Sequence, residues 1–92
     1  MMMTNKRDLK RTIIYICSEL FAECVAASLY SGKPDEENVN AVLTSILHTQ
    51  QDYVRRISHP QPGMSEKEFF KNLTDSFNKE VEEIIDHIAN LS

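Results

Sequence analysis

Three groups of side chains in this sequence have types and spacings that could support chemistry. Glu80, Glu83 and His87 follow one another at intervals of three and four, so on a helix they fall within about 60° of one another. Carboxylates and an imidazole gathered in this way can ligate a metal, and an up-down-up bundle would bring Glu19 and Glu23 to roughly the same height. Arg7, Lys10, Arg11, Arg55 and Arg56 form a second group, cationic and suited to phosphate or nucleic acid. Cys17 and Cys24 form the third, two thiols seven residues apart.

Each group falls short of a complete site. The carboxylate group loosely resembles the di-iron carboxylate bundles, which project Glu and Glu-x-x-His inward from facing helices. This chain departs from that pattern: Glu83 and His87 are four residues apart, and no second such pair exists. Metal binding by Glu19, Glu23, Glu80, Glu83 and His87 is therefore a weak expectation beside that of a solvated acidic face, and no cofactor is called for. The cations are unaccompanied by a helix-turn-helix pair, an aromatic stacking platform or a glycine-rich phosphate loop, so an ordinary solvated end competes with anion binding. The cysteines lie about 10.5 Å apart along a helix axis, beyond the roughly 7 Å limit for a disulfide. They read as buried free thiols, since burial raises a thiol's pKa and suppresses its reactivity. Ser18, Ser28 and Ser45 have no His-plus-carboxylate partner at a suggestive spacing. These readings point to a protein that is not an enzyme.

The elements that must position these residues are well marked. The chain has 92 residues, 41% of them hydrophobic, with two glycines and three prolines. Two separate domains would each be too small to build a core unaided, so residues 1–92 form one helical domain. Ser31-Gly32-Lys33-Pro34 and His59-Pro60-Gln61-Pro62-Gly63 combine helix-ending Gly and Pro. They divide the chain into predicted helices at 5–31, 35–58 and 65–91, with no strand-like alternation competing. Ser65 and Glu68 have the spacing of a capping box, and Met64 and Phe69 that of a hydrophobic staple. Asp35 is the expected N-cap of the second helix.

Apolar side chains recur at steps of three and four in the second helix (Val39, Leu43, Ile46, Gln50, Tyr53, Ile57) and in the third (Phe70, Leu73, Phe77, Val81, Ile84, Ile88, Leu91). Gln50 interrupts the first of these stripes. It either reaches the bundle edge or meets its equivalent across a two-fold axis. Short connections favour antiparallel neighbours, so the predicted fold is all-α, an up-down-up three-helix bundle.

The first helix stands apart. Fourteen of the eighteen residues from Ile13 to Tyr30 are apolar, against nine of nineteen in Val39–Ile57 and ten of twenty-three in Phe69–Leu91. Its apolar arc spans about 200°, where a surface helix needs little more than about 100°. Either the other two helices splay to cover it, or a second copy does. The second alternative leads: a homodimer burying Ile14, Phe21, Val25 and Leu29.

Charge is segregated along the bundle. One end collects eight cations (Lys6, Arg7, Lys10, Arg11, Arg55, Arg56, Lys67 and Lys71) against four anions, the other Lys33 and Lys79 against seven. The net charge of −4 argues against bulk attraction to nucleic acid or anionic lipid. Lys6–Arg11 ahead of Ile13–Cys17 imitates a signal peptide, but Glu19 and Glu23 interrupt the would-be apolar region. The longest uncharged stretch, Asn38–Gln51, is too short and too polar to span a bilayer. A cytoplasmic protein without membrane contact is expected. The chain resembles the small all-helical proteins common in bacterial genomes, a likeness that implies no activity. The leading expectation is a non-enzymatic, homo-oligomeric protein-interaction module that also presents its surface to an unidentified protein partner. The alternative is nucleic-acid or phosphate binding through the basic end, and a metal- or small-ligand-binding bundle comes third.

Overall fold

The computed structural model describes residues 6–30, 32 and 35–91. Three helices, α1 (Lys6–Tyr30), α2 (Glu36–Ser58) and α3 (Glu66–Ala89), pack against one another, with no strand among the described residues. The expected boundaries agree to within two residues at each described end.

The caps follow the local chemistry. Asp35 is extended and its carboxylate accepts from the backbone N–H groups of Glu37 and Asn38, at 3.1 and 3.3 Å. Ser65 Oγ accepts from the N–H of Glu68 at 3.2 Å, satisfying donors that no helical carbonyl can reach. Gly32 and Gly63, one in each connection, have φ of 75° and 85°, a left-handed conformation that costs a side-chain-bearing residue about 1 kcal/mol or more.

Contacts set the topology. Arg56, at the end of α2, shares a cleft with Met64 and Phe69 at the start of α3, while Asn38 and Val42 share one with His87 and Asn90. Leu9 of α1 lines a cleft together with Phe70 and Lys71 of α3. Hence α2 runs antiparallel to α3, α1 runs parallel to α3, and the chain goes up, down and up. Packing is uneven: α1 lies far more extensively on α2 than on α3.

The core is one cluster built around Ile13, Cys17 and Cys24 of α1, Ile46, Tyr53 and Ile57 of α2, and Leu73 and Phe77 of α3. Tyr53 joins two of these layers. Its ring meets Phe77 edge-on at 5.2 Å between centroids, and its hydroxyl lies 2.7 Å from Ser76 Oγ. Among the described residues, no buried side-chain nitrogen or oxygen lacks a hydrogen-bond partner.

The buried face of α2 is turned from its expected position. Val42 and Thr49 are buried, whereas Leu43 and Gln50 are only half-buried. The reason is that α2 is covered from two directions, by α1 and by α3. Its α3 side, marked by Asn38, Ala41 and Ser45 in the interhelical clefts, draws the covered arc towards Val42 and Thr49.

Removing the Tyr53 hydroxyl by Tyr53→Phe leaves Ser76 without that partner. It should lower unfolding stability by about 1 kcal/mol, and Ile46→Ala in the same core should cost about 2–5 kcal/mol. Denaturant melts followed by circular dichroism measure both.

Candidate functional site

The phase of α1 fixes what each of its residues meets. Leu9, Ile13, Cys17, Leu20 and Cys24 recur at steps of three and four and are buried. Leu9 marks the side turned to α3, where it lines a cleft with Lys67, Phe70 and Lys71. Ile14, Val25 and Leu29 lie about 140–160° around the helix from Leu9, on the side away from α3. They are 42%, 37% and 77% exposed. The helical phase of α2 carries Leu43, Leu47 and Val54 to the side opposite its α3 clefts, and Leu47 is 49% exposed while the other two are half-buried. The α1–α2 hairpin therefore has one face against α3 and an opposite face that is apolar and open in the single chain.

Phe21 is another of the residues expected in the dimer contact. It is half-buried and packs against the core cluster, so it forms the inner margin of the face. Gln50 is likewise half-buried at the margin on α2. Two further aromatic side chains of α1 are exposed, Tyr15 in its middle and Tyr30 at its end. The phenol of Tyr15 is held above its ordinary pKa by its hydrogen bond to Glu19 and by that carboxylate's charge.

The structure separates the two halves of the carboxylate group. Glu80, Glu83 and His87 border a small cleft with Ser45 and Thr49, on the α2 side of α3. Glu19 and Glu23 are exposed on α1, which approaches α3 from its other side, at Phe70 and Lys71. The heights agree but the sides do not. Among the described residues, no group of three or more His, Cys, Asp or Glu is placed to hold a metal ion.

The cations gather at one end without converging on a point. Arg7, Arg11, Arg55 and Arg56 are exposed and Lys10 is half-buried. Arg56 is already engaged: it pairs with Asp52 at 3.0 Å and stacks over the Tyr53 ring at 4.8 Å. Arg7 and Arg11 follow the same helical phase as Ile14, Val25 and Leu29 and so stand at one end of the open face.

By length and composition α1 is the one helix among the described residues apolar enough to cross a membrane, and 22% of its most apolar window is buried. The expectation of no membrane contact rested on Asn38–Gln51, the longest uncharged stretch, whereas the apolar part of α1 contains Glu19 and Glu23. No protein-family profile matches the chain, and neither a curated protein nor a solved structure matches it.

Cys17 and Cys24 are free and buried, and desolvation pushes both thiols above the ordinary range. Their thiolates therefore form only at higher pH than that of an exposed cysteine, and reactivity rises with pH through an upward-shifted transition. In the native protein both should react with a disulfide reagent at least about tenfold more slowly than after denaturation. Equal rates in the two states would show that the core around them opens freely.

Proposed function

We propose that this protein is a non-enzymatic, self-associating helical module, a homodimer that uses the open face of the α1–α2 hairpin. The observation that carries this reading is the alignment of Ile14, Val25, Leu29 and Leu47 on one side of the molecule, all exposed in the single chain. Exposed apolar side chains aligned on one face suit an interaction site, and a second copy of the chain supplies an equally apolar counterpart. The two buried, unbridged cysteines suit a reducing compartment, consistent with a cytoplasmic module. A bilayer offers the same apolar surroundings, but Glu19 and Glu23 would then carry a desolvation cost of a few kcal/mol, which a solvated strip on a dimer avoids.

A second reading rests on the basic end. Lys67 and Lys71 stand beside Leu9 near the start of α1, which brings cations from two helices together and favours phosphate or nucleic acid there. Binding of this kind weakens steeply with salt. The pairing of Arg56 with Asp52 ranks this reading below self-association.

Sedimentation at micromolar concentration tests the leading reading. The protein should run as a dimer. Ile14→Glu combined with Leu47→Glu should shift it to monomer, raising Kd by at least about a hundredfold while helix content stays intact, because charges stranded in a desolvated contact are costly. These positions are better probes than Phe21, whose packing against the core would confound dissociation with unfolding. A wild-type monomer, or flotation with neutral lipid vesicles in place of dimerisation, would overturn the reading.

A further inference from the structure

The two helices of the open face carry the same spacing with opposite charge. On α1, Arg7, Ile14, Ser18 and Val25 follow at intervals of seven, four and seven; on α2, Glu36, Leu43, Leu47 and Val54 do the same. Such intervals keep each set on one line along its helix. Because α1 and α2 run in opposite directions, Arg7, joined by Arg11, stands at one end of the face and Glu36 at the other. All three of these charged residues are exposed.

A two-fold axis relating two such faces must lie in the contact plane, which leaves two arrangements of near-parallel helices. With the axis along the helices, α1 lies over the partner's α2 and the basic ends are superposed. With the axis across the helices, α1 lies antiparallel over the partner's α1. Arg7 and Arg11 then approach Glu36 of the partner subunit, and the apolar middles coincide. Like charges brought together at a contact disfavour the first arrangement, and complementary ends favour the second.

Resting on the self-association reading above, we propose that the occupant of the open face is a second copy laid antiparallel, with the two-fold axis crossing α1 near Ser18. The dimer cancels the end-to-end polarisation of the single chain. It also engages Arg7 and Arg11, so dimerisation and anion binding by those two residues exclude each other.

Cysteine cross-linking decides the arrangement. Ser18 is exposed on the open face, close to the axis, and the buried native thiols give little background in the wild-type control. Under mild oxidation Ser18→Cys alone should become a covalent dimer in most of the protein, and an equal mixture of Ser18→Cys with Leu47→Cys should give no cross-linked heterodimer above that level. Cross-linking that requires the mixture would place α1 over the partner's α2 and overturn the antiparallel arrangement, as would a protein that sediments as a dimer yet cross-links in neither case. A protein that sediments as a monomer would instead overturn the self-association reading itself, so the two failures are distinguishable.

Discussion

A helix with apolar side chains around more than half of its circumference cannot be covered by two neighbours that approach it from one side, and α1 is in that position. It packs extensively on α2 and more lightly on α3, and both meet the arc centred on Ile13, Cys17 and Cys24. Burying this arc drives the fold, because each large apolar side chain removed from water contributes about 1.5–3 kcal/mol. The remaining arc, from Ile14 through Val25 to Leu29, is left partly exposed by the described residues. The open face is a consequence of the number of helices and their placement, and it needs no strained or irregular element.

The middle position of α2 organises everything else. Covered by α1 in one direction and α3 in another, it contributes Ile46, Tyr53 and Ile57 at the centre of the core. The contacts of Tyr53 with Phe77 and Ser76 register α2 against α3. That register delivers the chain ends of the helices to two poles and turns linear charge segregation into an electrical polarity of the folded molecule. The same arrangement places Arg7 and Glu36 at opposite ends of the open face, so hydrophobic and electrostatic patterning coincide there.

Much of this was legible in residue order. Helix number, boundaries and caps rest on interactions within a few residues, such as Asp35 with Glu37 and Asn38 or Ser65 with Glu68, and local chemistry suffices to read them. The excess of apolar residues on α1 was equally plain. The carboxylate group was less legible: spacing placed Glu19 and Glu23 at the height of Glu80 and His87, but height along a bundle does not say which side of a helix a neighbour occupies. The half-burial of Phe21 was hard to read for a related reason. A residue at the edge of an apolar arc is half-buried or exposed according to the lateral position of the adjacent helix, which no intrahelical period encodes.

Sequence alone therefore determined that three helices form, that they run up, down and up, and that the first is too apolar for its share of the core, because these depend on periodicity, local helix-end chemistry and loop length. Tertiary structure decided the rotation of α2 that buries Val42 and Thr49 and leaves Leu43 at the margin. It also decided the separation of the acidic side chains onto different sides of α3, and the merging of the α1 and α2 flanks into one open face. These outcomes turn on the relative azimuths of helices around the bundle, set by how side chains from distant segments interlock, and that information appears only when the helices pack.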